Sequence, residues 1–214
     1  MRGLYIGKYL PELFVHYEPS DEGVRSVRKT EGKYFPVQTE SDRAILVKIE
    51  AEPRDIVAVQ VYMPTSSSED EKVDEVYEQI NEFIEAEKGN DYLILMGDWN
   101  AVIGEGEHGR DVSKYGHGRR NERGEKLVEF CKEKKLMVTN TLFEQENRRR
   151  CTWKQPGDTN RYQLNYILVR QRYRNSVKQS SNYTGADVGS DHNLVMMKIK
   201  VKLKVLKKAK IKKR

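Results

Sequence analysis

At residues 93–96 the chain reads Leu-Ile-Leu-Met, and the next four residues are Gly97, Asp98, Trp99 and Asn100. Four apolar residues in succession do not suit a sheet with one wet face, where apolar and polar side chains alternate. They suit a strand covered on both faces, as in the core of a sheet or sandwich. Gly97 then permits a sharp change of backbone direction. Asp98 and Asn100 stand two residues apart, so in extended geometry they project from the same side. A carboxylate and an amide at the end of a core strand can form a catalytic pair. They can equally form an Asx-type turn, in which Asp and Asn bond nearby backbone.

The elements around this strand narrow the fold. Residues 44–50 and 55–62 alternate apolar positions about Pro53 and read as a hairpin. Residues 70–87 place Val73, Val76, Tyr77, Ile80, Phe83 and Ile84 at three-and-four spacing, an amphipathic helix. Residues 105–120 are glycine-rich and charged, a long loop. Asn121 is positioned to cap a helix over 122–135, with Leu127, Val128, Phe130, Cys131 and Leu136 inward. Short strands are expected at 136–140, 151–154, 162–169 and 193–203. Mixed helix and strand order, with several direct strand-to-strand links, indicates a layered α/β sandwich rather than a purely parallel doubly wound sheet. Residues 1–40 have weak periodicity and receive no assignment.

Charge is segregated along the chain. Residues 198–214 hold ten of the 39 Lys and Arg and no acid, which leaves 29 basic against 33 acidic residues and a net charge of −4 for the body. Residues 198–204 are expected to finish a strand, with a solvated basic tail over 205–214. A body of that charge is no general polyanion binder. Acids crowd residues 68–87, whereas Arg119-Arg120, Arg148-Arg149-Arg150 and Arg170, Arg172 and Arg174 lie in or beside later loops. No apolar stretch has the length needed to cross a bilayer, so no membrane association is expected. The first residues lack the apolar core of a secretory signal, and two cysteines supply no disulfide framework. An intracellular protein, nuclear or cytoplasmic, is the expectation. Gly104, Gly106 and Gly109 satisfy the spacing of a dinucleotide fingerprint, but polar loop follows where a helix should begin, and no nucleotide cofactor is expected.

Four more predicted strand ends carry polar groups. Tyr62 precedes Met63-Pro64, Thr152 adjoins Trp153, Asn165 interrupts an apolar run, and Ser190-Asp191-His192 leads into Leu194. Singly, each has a plain packing or turn explanation. Together, in this order, the segments VYMPTS at 61–66, GDWNAVIG at 97–104, NERGEKLVEFC at 121–131, TNTLF at 139–143, TW at 152–153, RYQLNYILV at 161–169 and GADVGSDHNLVMMK at 185–198 resemble the endonuclease/exonuclease/phosphatase superfamily. The phrasing is most similar to endonuclease domains of RTE-type non-LTR retrotransposons, and the resemblance runs from about Ser41 to Lys204.

That resemblance implies two mixed sheets flanked by helices, with a site where strand ends converge. It implies hydrolysis of a DNA phosphodiester assisted by Mg2+ or Mn2+. Asp98 matches the residue that orients or deprotonates the attacking water and also lies near the metal. Asn100 matches the amide contacting water and phosphate, and Tyr62 a tyrosine reaching the phosphate. His192 matches the imidazole that stabilises charge on the phosphoryl oxygens, and Asp191 the acid beside it at the metal. These jobs agree with what phosphoryl transfer requires of a protein. Thr152, Trp153 and Arg148, Arg149 and Arg150 stand where contacts to nucleic acid are expected.

Two departures from the family pattern bear on activity. Asn165 stands where the family has an aspartate that supports the imidazole. An acid-to-amide change of this kind costs a serine protease triad about 10⁴ in turnover, which gives the direction here rather than the size. The family's opening strands, with an asparagine and a metal-binding glutamate, are not recognisable in residues 1–40. The domain is therefore expected over 41–204, truncated at its N-terminal side and with weakened metal affinity. The alternatives are a catalytically inactive remnant that binds nucleic acid or protein and, within the superfamily, a phosphatase.

Overall fold

The computed structural model describes residues 2–3, 16–17, 34–37, 43–49, 54–86, 91–183 and 191–200. Within these, β1 (Arg2–Gly3) pairs antiparallel with β2 (His16–Tyr17). The central sheet is built from β3 (Tyr34–Val37), β4 (Ala44–Ile49), β5 (Ile56–Tyr62), β6 (Tyr92–Asp98), β7 (Leu136–Val138) and β10 (Asn165–Arg170). Its strand order is β3-β4-β5-β6-β10-β7. β4 and β5 form the expected hairpin in antiparallel register, Ala44 opposite Val61 and Ile49 opposite Ile56. β5 and β6 are parallel, and α1 (Asp70–Ala86) supplies the crossover that a parallel pair requires. The remaining strands are β8 (Trp153–Lys154) with β9 (Arg161–Tyr162), and β11 (Val177–Tyr183) with β12 (Leu194–Ile199), each pair antiparallel.

Two apolar cores flank the central sheet. On one side α1 buries Val73, Val76, Tyr77, Ile80 and Ile84, and α2 (Glu122–Glu133) buries Leu127, Val128, Phe130 and Cys131, against Val57, Val59, Leu93 and Leu95. On the other, the β11–β12 ribbon lays Val177 and Met197 over Ile56, Ala58, Ile94, Met96, Ile167 and Val169. The layers are thus helices, a mixed sheet and a second antiparallel ribbon, the α/β sandwich expected from the buried run in β6. Asn121 caps α2 as its position predicts, its Oδ1 accepting the N–H of Gly124 at 2.8 Å and of Val102 at 3.0 Å.

Several boundaries differ from the sequence reading. Residues 34–37 add an edge strand ahead of residue 41, where no element had been assigned. The segment 162–169 is two strands, because the N–H groups of Leu164 and Asn165 both turn aside to Thr152 Oγ1. The strand predicted at 136–140 stops at Val138 and passes into a 3-10 turn over Thr139–Thr141. β11 was missed because its inward positions are polar: Ser180 faces Thr139, with their hydroxyls 3.0 Å apart. β12 ends at Ile199, and the tail over 201–214 lies outside the described residues, as do most of 1–42. Among the described residues, no helix is long and apolar enough to cross a membrane.

Gly97 is the tightest point of the sheet. Its φ is 143°, and a Cβ placed there would sit 1.8 Å from the Val61 carbonyl oxygen of the neighbouring strand. Gly97→Ala should destabilise the fold by about 3 kcal/mol or more, combining backbone strain with overpacking. That corresponds to a fall in thermal midpoint of roughly 6–12 °C by circular dichroism. Gly106→Ala, at φ 104° with open space around it, carries only the conformational cost and should lower the midpoint much less.

Candidate active site

Side-chain alternation decides where the polar strand ends point. Along β6, Leu93 and Leu95 face the helices while Tyr92, Ile94 and Met96 face the ribbon. The same period carries Asp98 to the ribbon side. β5 and β10 keep the pattern, which directs Tyr62 and Asn165 to that side too. Cross-strand register places Tyr62 opposite Asp98 and Asp98 opposite Asn165. The three form one row across adjacent strands at the edge of the gap between sheet and ribbon.

His192 enters this row from the ribbon side, two residues before β12. Its Nδ1 lies 2.9 Å from Asn165 Oδ1. With the amide oxygen as acceptor, Nδ1 carries the proton and donates. Its Nε2 lies 3.9 Å from Asp98 Oδ2 and 4.0 Å from Asp191 Oδ1. The Trp153 indole N–H donates to Asp191 Oδ2 at 2.7 Å. Two carboxylates from different segments therefore flank one imidazole nitrogen, and Asp98 and His192 are both buried.

The turn after β6 answers both readings of its sequence. Asp98 Oδ1 accepts the backbone N–H of Asn100 at 3.1 Å, an Asx-type turn that holds the carboxylate in place. Asn100 has φ 45°, so the chain leaves extended geometry and the turn, not strand period, brings the pair together. Its Nδ2 donates to the Met63 carbonyl at 2.7 Å, tying it to the end of β5. Trp99 swings to the opposite face, packs with Tyr77 and Phe130, and donates its indole N–H to the Tyr166 carbonyl at 3.3 Å. The aromatic residue between acid and amide is an anchor in the helix-side core.

Three nucleic-acid expectations change on inspection of the geometry. Thr152 is fully buried, and its Oγ1 accepts the N–H groups of Leu164 and Asn165 at 2.7 and 2.9 Å. It holds the Asn165 backbone rather than presenting a hydroxyl outward. Arg150 donates to the carbonyls of Gln145 and Gly116 at 2.8 and 3.2 Å and lies 3.8 Å from Glu105, so its guanidinium ties loops together. Trp153 is only partly exposed, with its N–H committed to Asp191. Arg148 and Arg149 are exposed, and Arg148 pairs with Glu146.

Two residues escaped the sequence reading. Asn140 accepts the Ile167 N–H at 2.9 Å and donates to the Asn165 carbonyl at 3.3 Å, bracing the start of β10. The guanidinium of Arg43 sits 5.1 Å from the centre of the Tyr62 ring, a cation–π contact at the row's outer end. Asn140 lies within the TNTLF segment, which gave a hint; Arg43 had none.

The donor set suits a hard cation. Asp98 and Asp191 supply carboxylate oxygens on either side of the His192 Nε2, and magnesium sites use one or two carboxylates completed by water and phosphate. Among the described residues, no three His, Cys, Asp or Glu side chains gather as a denser metal cage. Cys151 is no nucleophile here, because burial pushes its thiol above the usual range.

A layered α/β sandwich with this acid–amide–imidazole row at its strand ends defines the endonuclease/exonuclease/phosphatase class. The chain belongs to the endonuclease-reverse transcriptase family, which it matches over residues 56–196. It is 40% identical to craniofacial development protein 2 of Bos taurus over 168 residues, covering 78% of this chain and 28% of that protein. The Tragulus javanicus protein of the same name is 38% identical over 168 residues, 78% of this chain and 29% of that one. The chain thus spans less than a third of the curated relatives it matches. In fold it is similar to the endonuclease domain of TRAS1, a telomere-specific non-LTR retrotransposon, with a TM-score of 0.60 at 16% identity over 87% of this chain and 79% of that one. It is also similar to the Neisseria 3′ phosphatase NExo bound to a product DNA hairpin, with a TM-score of 0.57 at 13% identity over 80% of this chain and 71% of that one.

Thr152→Val keeps the shape of the side chain and removes the acceptor of two buried N–H groups. It should cost about 2–4 kcal/mol in urea unfolding, since each orphaned buried donor costs about 1–3 kcal/mol. Arg148→Gln, an exposed surface change, should stay within about 0.5 kcal/mol of the unaltered chain.

Proposed function

We propose that this chain hydrolyses DNA phosphodiester bonds with the help of a divalent cation, magnesium or manganese, at a rate reduced by Asn165. The observation that carries the reading is His192, held by Asn165 on one nitrogen and flanked by Asp98 and Asp191 on the other. The 3.9 Å between Asp98 Oδ2 and His192 Nε2 is wide enough for a bridging water. Asp98 accepts the proton of the attacking water, and its Asx turn keeps the accepting oxygen fixed. His192 Nε2 donates to the phosphoryl oxygen on which charge develops. The second amide N–H of Asn100 and the Tyr62 hydroxyl bind the same phosphate. A bound cation would supply Lewis-acid stabilisation of the phosphoryl oxygens and would be held by Asp98 and Asp191.

Asn165 separates two jobs that an aspartate would combine. Its amide oxygen accepts from Nδ1 and so preserves ring orientation and tautomer. It brings no negative charge to that side of the ring. DNA as substrate is supported by the printed descriptions of the fold neighbours, one an endonuclease domain and one bound to a DNA product. Work on DNA places the protein in the nucleus or cytoplasm.

Nicking of supercoiled plasmid in Mg2+ or Mn2+ tests this reading. The unaltered chain should nick slowly, and Asp98→Ala should lower the rate by about 10²-fold or more, the contribution of a positioned base. Asn165→Asp should raise it. Brisk nicking by the unaltered chain, abolished by Asp98→Ala, would overturn the inferred impairment. No nicking by any version, with salt-dependent DNA binding retained, would favour the binding-module alternative. In filter binding, replacing Arg148 and Arg149 together by Gln should flatten the slope of log K against log salt by about 1–2 if each contacts one phosphate.

A further inference from the structure

We propose that Trp153 is a positioning residue for Asp191: its indole N–H selects which carboxylate oxygen faces the cation, and so favours Mg2+ and Mn2+ over Ca2+. The proposal rests on the cation-assisted reading of the site given above.

The two carboxylates that flank His192 live in unlike surroundings. Asp98 is buried, and its neighbours leave it little choice of rotamer. The Asp191 side chain is 55% exposed, so packing does little to choose its rotamer. Both nevertheless show the same arrangement. Each has one oxygen accepting an N–H from its own scaffold, and the other within 4.0 Å of His192 Nε2. For Asp98 the N–H comes from the backbone of Asn100. For Asp191 it comes from the Trp153 indole at 2.7 Å, at the short end of N–H···O distances, as charge-assisted bonds are.

Trp153 itself cannot drift. Its backbone bridges to His192 in antiparallel fashion, and the neighbouring residues extend that ladder: the Lys154 N–H donates to the Asp191 carbonyl at 3.0 Å, and the Asn193 N–H to the Thr152 carbonyl at 2.7 Å. Its ring centre lies 5.8 Å from that of Tyr162, its partner in the β8–β9 pair, and 6.3 Å from that of His192. The indole N–H is a fixed donor delivered to an otherwise adaptable carboxylate.

The consequence is a preference among cations. A donor on Oδ2 leaves Oδ1 as the oxygen for a metal, so Asp191 binds in a one-oxygen mode. Magnesium-like ions demand near-octahedral single-oxygen ligands, whereas calcium accepts two-oxygen carboxylates and irregular shells. Removing the N–H releases Asp191 to other rotamers and to two-oxygen binding. Partners that orient a metal ligand contribute about 10–100-fold to metal affinity.

The test replaces Trp153 by benzothienylalanine, which keeps the ring's shape and lacks the N–H, with 5-fluorotryptophan as a control that retains it. Mn2+ affinity is read by electron paramagnetic resonance and Ca2+ affinity by calorimetry on the folded full chain. The expected result is a loss of about 10–100-fold in Mn2+ affinity for the benzothienyl variant, none for the fluoro variant, and unchanged or tighter Ca2+ binding. In an Asp191→Asn background the same replacement should change Mn2+ affinity no further. DNA affinity measured in EDTA should be unaltered. Equal Mn2+ affinity with and without the N–H, or an additive loss in the Asp191→Asn background, overturns the proposal. A fall in metal-free DNA affinity instead assigns Trp153 to nucleic-acid contact and also overturns it. If Mn2+ binding splits as expected but nothing is nicked, the role of Trp153 stands and the catalytic reading falls. If nicking depends on Asp98 while Mn2+ affinity ignores the N–H, the catalytic reading stands and this one falls. A chain that binds no Mn2+ at all removes both the cation and this role.

Discussion

Strand β6 must be covered on both faces, and the site follows from that constraint. Leu93 and Leu95 are buried against the helices, and Ile94 and Met96 against the ribbon. A strand so enclosed has no solvent face on which to place a working carboxylate. Its only outlet is its end, where the layers part. Asp98 sits there, and the same alternation in β5 and β10 delivers Tyr62 and Asn165 to the same opening. Gly97 makes the row possible, because the Val61 carbonyl occupies the space where any side chain would begin.

Buried polar groups then fix the row in detail. Thr152 and Asn140 take up the N–H and carbonyl groups released where β10 begins, so Asn165 stands on a backbone held from two directions. Each bond is worth only about 1 kcal/mol net, but leaving its partner unsatisfied in the interior would cost more. These groups do no chemistry themselves. They remove the freedom that would let Asn165 and His192 lose their 2.9 Å contact.

Asn165 shows how an amide can preserve geometry while changing electrostatics. An aspartate there would accept the same hydrogen bond and add a charge facing the imidazole. The amide keeps the ring pointed, and the negative charges near His192 come instead from Asp98 and Asp191 on the opposite nitrogen. The consequence is an imidazole oriented from one side and surrounded by charge on the other.

Much of this was legible in the chain. The apolar run at 93–96 called for a doubly covered strand, the three-and-four spacing of Val73 to Ile84 for a helix, and Asn121 for a cap, because these are local or periodic properties that each residue carries alone. Order and spacing of the polar strand ends pointed to the family, and strand parity implied that Asp98 and its neighbours would share a face. Pairing across distant segments was not legible. Nothing local to Thr152 says that its hydroxyl will face inward, nothing in Arg150 that its guanidinium will bind two carbonyls, and nothing in Val177–Tyr183 that a polar segment will be a buried strand. Those outcomes depend on which backbone groups lose their water when the layers close, and on which side chain then stands near enough to replace it. Only the tertiary structure decides that, because burial creates the demand and packing chooses the donor.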